Sequence, residues 1–594
     1  MKEKTKNILG KARAWTISHK KAFIVAGIIA LVLILLCGIA FLSCYFYVSS
    51  AYPDEIVLEG AYVDTSLLPL SFTDRDLKNT YTKEGAVVIT AQGNTANADN
   101  QGVTFSDSVI KITAGGVYIF EGSFEGMILV EGGDEDKIQL VLNSFAITGK
   151  SSPAIYVKSA NKVFITTAEG TVNTITDTNG YSYEGGDVDG AIFSRADLTL
   201  NGTGELIVKG NNAHGIVSKD DLVIGDGKYN VSSVKKGIFG KDCVKINTCD
   251  LTINAGTDGI CSDNTDSDKG FVYIKSGTIS ITAAKDGIQS KNAMVLQDPK
   301  ITISTDGGYE NAPVKEANRG KGKHEKGERE EEAPTDTTKE SAKALKSATD
   351  IIISGGTYII NSRDDSIHAD NSIKITDGAF NIKSGDDGIH AENTLEISKG
   401  DITIENCFEG LEAYQIAING GNVLISATDD GVNASSSTTA LGFFGELFSP
   451  SAMGKLEIHG GLVQVYSGGD SLDSNGIMSL LGGKVFLSGP TSQGDSMVDC
   501  DSTKTLSGAT LVVIGTSKND TAESLATSKD FFEIENSYTL SKDLDTQEAG
   551  TAIEIKGADG NTLAAFTAQK SFNYIIATSP KSFNLLLNGT ELTE

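Results

Sequence analysis

Residues 364–433 decide the fold, and they read DDSIHADNSIKITDGAFNIKSGDDGIHAENTLEISKGDITIENCFEGLEAYQIAINGGNVLISATDDGVN. One short phrase recurs four times in this stretch, as Asp364–His368, Asp386–His390, Phe408–Glu412 and Asp429–Asn433. The third positions of the four phrases are 22, 22 and 21 residues apart, and each is Ser or Gly. A fixed period of this length, with a turn residue in each unit, is typical of a solenoid in which each unit buries its apolar face on its neighbours.

Short runs between the phrases alternate apolar and polar residues, as in Ser372–Thr376 and Phe380–Lys383. Such alternation predicts β-strands, and outside the N-terminus no stretch carries a sustained helical period. Three short strands in each repeat would make one coil of a parallel β-helix. The sequence therefore predicts an all-β solenoid with coils of about 22 residues.

The repeat also predicts which side chains stack. Parallel strands lie about 4.8 Å apart, so residues one period apart are expected to lie directly above one another. One predicted column is apolar and faces inward: Ile367, Ile389, Leu411 and Val432. A second column, which we call the acidic ladder, consists of Asp365, Asp387, Glu409 and Asp430. Beside it stand Asp364, Asp386 and Asp429, and three positions further on come His368, His390, Glu412 and Asn433.

Carboxylates at this spacing repel one another unless a cation neutralises them. Ca²⁺ accepts about six to eight hard oxygen ligands in irregular geometry, which suits carboxylates that converge from adjacent turns. We therefore predict a Ca²⁺ site with the candidate ligands Asp364, Asp365, Asp386, Asp387, Glu409, Glu412, Asp429 and Asp430. The candidate substrate-binding residues are His368, His390 and Asn433. The alternative is that Asp-Gly serves tight turns here, which requires no ion.

The N-terminus has the pattern of a signal anchor. Residues 1–21 carry seven Lys and Arg against one Glu, and residues 22–48 contain no charge. That uncharged length exceeds the roughly 20 residues that span a bilayer as a helix. Basic residues before a span place the N-terminus in the cytoplasm. The sequence predicts a single-pass protein of the cell membrane, a cytoplasmic tail at 1–21, a transmembrane anchor at 22–48 and an extracellular bulk. A cleaved signal peptide or a lipidated Cys44 fits the sequence less well.

Charge and cysteine content exclude several classes of protein. The formal net charge is −28, and the basic tail makes the remainder more acidic still, which argues against nucleic acid or an anionic membrane surface as a partner. Five cysteines follow the uncharged stretch: Cys243, Cys249, Cys261, Cys407 and Cys500. This odd, sparse set predicts neither a disulfide framework nor a zinc site. Buried apolar positions are expected, and one bridge among the first three remains open.

The domain organisation follows from where the repeat begins, breaks and ends. We expect a linker and N-terminal cap at 49–80, the first part of the solenoid at 81–305, and the second part, which carries the acidic ladder, at 343–500. Between them, residues 306–342 are highly charged and poor in apolar residues, which predicts a disordered insertion. A second insertion is expected at 435–454. From about 501 the repeat ends and a β-rich C-terminal cap at 501–594 is expected, since an open solenoid end invites aggregation.

The sequence also resembles the bacterial cell-surface carbohydrate-binding proteins that have a pectate-lyase-like right-handed parallel β-helix. The resemblance rests on Gly115–Ile119, Leu140–Asn143, Pro153–Lys158, Glu169–Asp177, Tyr181 and the four repeated phrases. It implies a calcium-bearing β-helix that binds plant cell-wall polysaccharide, either cellulose-like or acidic and polygalacturonate-like. Ser366 and Phe408 depart from the repeated pattern of Gly and Asp. Together with the anchor and cap, the predicted fold class is a right-handed parallel β-helix with an N-terminal transmembrane helix and a C-terminal β cap.

Three functional interpretations remain open from the sequence. The first is a non-catalytic, calcium-dependent polysaccharide binder. The second is a calcium-dependent pectate-type lyase, in which Lys383 or Arg363 removes a proton beside the metal. The third is a structural surface protein or adhesin. Other catalytic signatures, such as Gly-x-Ser-x-Gly or His-Glu-x-x-His, do not occur in the sequence.

Overall fold

The computed structural model describes residues 62–98, 102–315, 340–435, 454–489, 496–516, 533–534 and 538–592. These residues belong to one compact unit formed by 60–439 and 453–594. Their secondary structure consists of β-strands and the three short 3₁₀ helices Thr65–Leu67, Glu184–Gly186 and Tyr309–Asn311. The predicted tail at 1–21, the anchor at 22–48 and most of the two insertions lie outside the described residues.

The strands before the charged insertion are β1 Val87–Gly93, β2 Thr95–Asn97, β3 Val103–Ser106, β4 Val109–Ile112, β5 Gly116–Glu125, β6 Met127–Glu131, β7 Lys137–Thr148, β8 Ile155–Ser159, β9 Lys162–Thr167, β10 Val172–Thr176, β11 Gly190–Ser194, β12 Asp197–Gly202, β13 Glu205–Gly210, β14 His214–Ser218, β15 Asp221–Ile224, β16 Lys228–Ser233, β17 Ile238–Gly240, β18 Cys243–Ile246, β19 Asp250–Ala255, β20 Ile260–Ser262, β21 Phe271–Ala283, β22 Ile288–Ser290 and β23 Met294–Thr305.

The strands after it are β24 Leu345–Ser347, β25 Asp350–Ile353, β26 Thr357–Ser362, β27 Ile367–Ala369, β28 Ser372–Ile375, β29 Ala379–Ser384, β30 Ile389–Ile397, β31 Asp401–Cys407, β32 Leu411–Ile418, β33 Asn422–Ala427, β34 Val432–Ala434, β35 Gly454–Ile458, β36 Leu462–Tyr466, β37 Leu472–Ser474, β38 Gly476–Leu480, β39 Lys484–Ser488, β40 Lys504–Leu506, β41 Thr510–Gly515, β42 Glu533–Ile534, β43 Tyr538–Gln547, β44 Ala552–Gly557, β45 Thr562–Thr567, β46 Phe572–Ser579, β47 Phe583–Leu587 and β48 Thr590–Glu591.

Most strands pair in parallel with the strand one repeat further along the chain. Ile367 pairs with Ile389, Ile389 with Leu411, and Leu411 with Val432. All four of these side chains are fully buried, so the predicted apolar column is confirmed. Alternation places every second residue in a single core that runs the length of the sheet, and the apolar area removed from water there is the main stabilising contribution.

The sheet resumes after the charged insertion in the register of the 22-residue repeat. Leu345 pairs with Ile288 on one side and with Ile367 on the other. The N–H of Ala344 donates to the carbonyl oxygen of Asp365 over 3.2 Å. The insertion therefore leaves and rejoins the sheet without breaking its stacking.

The segment at 62–80 lies along the side of the sheet. The N–H of Val63 donates to Oδ2 of Asp350 over 2.6 Å. Further along, Nζ of Lys245 donates to the carbonyl oxygen of Pro69 over 3.2 Å, and Oγ1 of Thr199 donates to Oδ1 of Asp76 over 2.6 Å. The segment runs against the direction of the repeats, because its first residues meet the later strands and its last residues meet the earlier ones.

At the C-terminus, parallel pairing continues past residue 500 through β40 and β41. Strand β46 then pairs antiparallel with both β41 and β43, while β44, β45, β47 and β48 form a separate antiparallel sheet. The turn at 559–561 lies between the antiparallel strands β44 and β45.

The predicted fold class, a right-handed parallel β-helix with a transmembrane helix and a C-terminal β cap, is wrong. The described chain is all-β, as predicted, and has no α-helix. Most of its strands join one closed, mainly parallel sheet that the C-terminal strands β43 and β46 also enter, and β44, β45, β47 and β48 form the second, antiparallel sheet. A physical reason is that long strands run through the corners: β21 pairs with β18 along its first half and with β19 along its second, so hydrogen bonding continues around the turn. A right-handed parallel β-helix closed by a distinct C-terminal cap is therefore replaced by this continuous sheet. Among the described residues no helix is long and apolar enough to cross a membrane, and the predicted anchor at 22–48 lies outside them.

The cysteines behave as small buried residues. Cys243, Cys249, Cys261 and Cys407 are buried, Cys500 is partly exposed, and all five are free thiols. The bridge left open among the first three is not formed.

Candidate functional site

The four repeated phrases stack at one corner of the sheet. Each phrase crosses a turn, and the N–H of its Ser or Gly donates to the carbonyl oxygen of the acidic residue in the next phrase: Ser366 to Asp387 over 3.0 Å, and Gly388 to Glu409 over 2.9 Å. A Cβ atom on Gly410 would lie 2.3 Å from the carbonyl oxygen of Gly431, so this close approach requires glycine. Ser366 is tolerated at the equivalent turn and contacts Oγ of Ser362 at 2.8 Å.

The residues that follow the acidic ladder by three positions also stack as predicted. His368 pairs with His390, His390 with Glu412, and Glu412 with Asn433. The next residue in this column is Asp473, which pairs with Asn433 across the second insertion. The sequence analysis missed Asp473 because the insertion lengthens the spacing there, although the Asp470-Ser471 turn marks the following repeat.

One oxygen of most acidic-ladder carboxylates has a structural role in the turn. Oδ1 of Asp365 accepts from the N–H of Asp387 over 3.2 Å, and Oδ1 of Asp387 accepts from the N–H of Glu409 over 3.3 Å. Oδ1 of Asp430 accepts from the N–H of Asp470 over 2.7 Å. Oδ1 of each of these three carboxylates therefore accepts a backbone hydrogen bond that holds the turn of the next repeat.

Cations of the protein neutralise the first part of the acidic ladder. Nζ of Lys343 forms an ion pair with Oδ2 of Asp365 and lies 3.2 Å from Oδ1 of Asp364. Nδ1 of His368 lies 2.9 Å from Oδ2 of Asp365, and Nδ1 of His390 lies 3.8 Å from it. Burial opposes ionisation of Asp365, but Lys343 and the two histidines outweigh burial and hold its pKa well below the usual value.

Further along the acidic ladder the pKa values of the carboxyl groups are raised instead of lowered. Burial, followed by Asp365 and neighbouring carboxylates, raises the pKa of Asp387 well above its usual value. Burial and Glu412 raise the pKa of Glu409 to about 8. Burial and Asp470 raise the pKa of Asp430 to about 9. These carboxylates are therefore held where negative charge is costly unless a cation is brought in.

Several side chains come close enough to share one ion. Ligating atoms lie within 4.8 Å of one another in the groups Asp364, Asp365 and Asp386; Asp387, His390 and Glu412; Asp365, His368 and His390; and Asp430, Asp470 and Asp473. Among the predicted ligands, Glu409 accepts a hydrogen bond from Nδ2 of Asn433 over 2.9 Å. Asp429 stands beside Asp430 and contributes to its raised pKa. The structure thus brings the predicted acidic residues to one corner of the sheet.

The family described as "Carbohydrate-binding domain-containing protein" matches residues 106–388 and 386–557. A carbohydrate-binding domain-containing protein of Acetivibrio thermocellus is 37% identical over 217 residues, which cover 36% of this chain and 76% of that protein.

The chain belongs to the carbohydrate-binding domain-containing protein family. A solved structure of the polysaccharide lyase-like protein from C. thermocellum, in a gadolinium derivative, shares 36% identity with it at a TM-score of 0.37, covering 37% of this chain and 92% of the other. The two matched segments of the family overlap at residues 386–388, so both include part of the second repeated phrase. We call the stacked turns of the four repeated phrases the acidic corner. These turns lie within the residues that match the family.

The two candidate bases of a lyase are engaged in other contacts. Arg363 is buried: Nε lies 2.6 Å from Oδ2 of Asp306, and Nη2 donates to the carbonyl oxygen of Glu340 over 2.6 Å. Arg363 therefore contacts residues near both ends of the charged insertion, Asp306 and Glu340. Nζ of Lys383 lies 3.4 Å from Oε2 of Glu405, and both side chains of that pair are more than one third exposed.

A second acidic group occurs upstream. Asp197, Asp220 and Asp221 have ligating atoms within 4.8 Å of one another. Burial and the charge of Asp197 raise the pKa of Asp220 to about 6. The sequence analysis did not single out these residues, because the turns around them carry mixed charges.

Proposed function

We propose that the chain is a calcium-dependent, non-catalytic binder of plant cell-wall-type polysaccharide, either cellulose or an acidic polygalacturonate-like chain, and that it acts at the cell surface. Membership of the carbohydrate-binding family supports the binding of a polysaccharide. The uncharged stretch after the basic tail in the sequence supports export.

The calcium dependence rests on one observation. Asp387, Glu409 and Asp430 are stacked carboxylates, the first buried and the other two partly buried, whose pKa values are raised by burial and by other carboxylates. A divalent cation is the simplest way to allow all three to ionise at neutral pH. The donors are mainly carboxylate oxygens, and these hard ligands fit Ca²⁺ better than a soft or strictly tetrahedral metal.

Two groups fit such an ion best. Asp387 and Glu412, together with His390, form one, with Glu409 close enough to Glu412 for their charges to interact. Asp430 with Asp470 and Asp473 forms the other. Bound Ca²⁺ would supply charge neutralisation and vacant coordination positions for sugar hydroxyl or carboxylate oxygens. The chain's own residues hold the carboxylates in register, because backbone N–H groups fix Oδ1 of Asp387 and of Asp430.

The lyase alternative is less favoured by the geometry. A general base must reach the proton that it removes. Arg363 is bound to the ends of the insertion, and Lys383 is paired with Glu405 on the neighbouring strand.

A retention experiment tests the proposal. The purified chain is mixed with insoluble cellulose or with immobilised polygalacturonate, in Ca²⁺ or in a chelator, and the bound fraction is measured. We expect retention in Ca²⁺ and loss of most of it in chelator. The double variant Asp387→Asn and Asp430→Asn should be retained poorly in both. Asp559→Asn is the matched control, because Asp559 lies in the turn between β44 and β45, far along the chain from the acidic ladder. Equal retention of all three proteins, with or without Ca²⁺, would contradict the calcium dependence.

A further inference from the structure

A lysine from the edge of the charged insertion reaches the acidic corner. Nζ of Lys315 forms an ion pair with Oδ1 of Asp386. The same ammonium lies 4.7 Å from the centroid of the Phe408 ring. Its charge also acts on Asp387 and Asp365, which raise the pKa of Lys315 together with Asp386 even though burial opposes this. One basic side chain thus contributes to the charge balance of two successive repeats.

Phe408 explains why the lysine docks at this position. The phrases begin with Asp364, Asp386, Phe408 and Asp429, so the third repeat has an aromatic ring where the others have a carboxylate. An aromatic face attracts an ammonium through its quadrupole. Asp386 and Phe408 therefore form a binding position for a lysine ammonium, with a carboxylate on one side and an aromatic ring on the other.

Lys343 and Lys315 differ in how firmly they are held. Lys343 is 15% exposed and contacts both Asp364 and Asp365, and its N–H donates to Oδ1 of Asp286 over 2.9 Å. Lys315 is 40% exposed, and the preceding Val314 is 94% exposed. A cavity of about 320 Å³ lies beneath its segment, lined by Tyr309, Pro313, Ser384, Asn406 and Phe408 among others. Lys343 is thus built into the turn, whereas Lys315 rests on the surface of the corner and has room to withdraw.

We propose that Lys315 is a tethered counter-cation that pairs with Asp386 and, through its charge on the adjacent Asp387, competes with Ca²⁺ bound at the group of Asp387 and Glu412. This inference rests on the proposed function, because it concerns the regulation of the same site. The ammonium lowers the affinity of the carboxylates for Ca²⁺, and bound Ca²⁺ displaces the ammonium. The lysine therefore sets the Ca²⁺ concentration at which the corner becomes loaded and competent to bind polysaccharide.

Calcium titration of the purified full-length chain by calorimetry tests this. Lys315→Gln removes the competing charge, and we expect the affinity for Ca²⁺ to rise roughly tenfold, as is typical for losing one unit charge a few ångströms from a partly solvated site. Phe408→Leu removes the aromatic ring that contacts Lys315 but changes no charge, and should raise the affinity for Ca²⁺ by a smaller factor. Lys315→Arg keeps the charge and should leave the affinity near that of the unchanged protein.

Lys399→Gln is the matched control. Lys399 also forms a lysine–aspartate ion pair, 3.1 Å from Oδ2 of Asp377, and its removal changes the net charge by the same amount. Its effect on calcium affinity should be less than about twofold. Calcium binding with the same affinity in Lys315→Gln and Lys399→Gln would overturn the inference while leaving the proposed function standing. An absence of calcium binding in the unchanged protein and all variants would overturn both.

Hydrogen exchange supplies a second readout that does not depend on affinity. If Ca²⁺ displaces Lys315, amides of residues 309–315 should exchange faster when Ca²⁺ is added. The N–H of Tyr309, which donates to Oδ1 of Asn361 over 2.8 Å, is the reference amide for this segment. Slower exchange of the whole segment in Ca²⁺ would show that the ion and the lysine bind together, against the proposed competition.

Discussion

The imidazole rings of His368 and His390 meet edge to face, with their centroids 4.8 Å apart. They are the stacked residues of successive repeats, and Asp365 contacts both. Burial opposes protonation of His390, but the carboxylate of Asp365, which accepts from the imidazolium, and the charge of Glu412 outweigh burial, and the pKa of His390 is raised to about 9. The pKa of His368 is raised as well, because Asp365 and Asp370 outweigh its burial. A protonated His390 is thus part of the native charge balance at neutral pH, and the raised pKa of His368 favours protonation in the same place.

This balance predicts that the metal-free protein loses stability as the pH rises. A histidine whose pKa is raised on folding stabilises the protein below its unfolded pKa, near 6.5, and this contribution is lost as the pH approaches the folded value of about 9. Glu409 and Asp430 have folded pKa values of about 8 and about 9, so they bind extra protons in the folded state and act in the same direction.

We therefore expect the melting temperature in chelator to fall steadily between pH 6 and pH 9. Added Ca²⁺ should flatten this decline, because the ion replaces the protons that the carboxylates would otherwise need. Thermal unfolding followed by circular dichroism across this range measures both effects. A metal-free melting temperature that rises over the same range would contradict the charge balance described above.

Calcium should stabilise the folded protein by mass action. At a hundredfold excess over the dissociation constant, one site adds about 2.7 kcal/mol to the free energy of unfolding. Asp387→Asn and Asp430→Asn should remove most of this shift. In chelator the same substitutions should leave stability unchanged or raise it, because each replaces a carboxyl group whose ionisation is opposed in the folded protein by burial and by neighbouring carboxylates. Asp559→Asn should behave like the unchanged protein in both conditions, and a calcium shift that survives in the two ladder variants would exclude these residues as ligands.

The apolar column beneath the acidic ladder should carry much of the local stability. Ile389 is fully buried, and Ile389→Ala removes packed methyl groups and leaves a cavity, at a cost of about 2–5 kcal/mol. Ile359 lies on the same sheet but is 48% exposed, so Ile359→Ala should cost less than about 1 kcal/mol. Denaturant unfolding of the two variants compares them directly. Similar losses would mean that Ile389 is not packed as the structure shows.

The 22-residue period made the apolar column and the acidic ladder predictable, because strict periodicity converts sequence spacing into stacking. The cations at the corner were not predictable in the same way. Lys343 and Lys315 lie on either side of the charged insertion, and only the fold brings them to Asp365 and Asp386. Alternation along a strand also says nothing about hydrogen bonding around a corner. The continuity of the sheet through β21 and β23 was missed for that reason.

Topology can be tested on cells. Protease added to intact cells should degrade the bulk of the chain while sparing the basic residues 1–21, as shown by antibodies against each part. The expectation follows from the basic tail and the uncharged residues 22–48 of the sequence. Protection of the bulk until the cells are lysed would place it inside the cell.

Substitutions of Arg363 and Lys383 distinguish a polysaccharide binder from a lyase. Its guanidinium contacts Asp306 and the carbonyl oxygen of Glu340, so Arg363→Met should loosen the ends of the insertion and lower the free energy of unfolding by about 1–3 kcal/mol. Lys383→Met breaks a partly exposed ion pair with Glu405 and should cost less than about 1 kcal/mol. Incubated with polygalacturonate and Ca²⁺, the unchanged protein should release no unsaturated product that absorbs in the ultraviolet, and both variants should still be retained on the polysaccharide. A steady ultraviolet signal that disappears in either variant, while the variant remains folded, would instead establish a lyase whose base is the residue replaced.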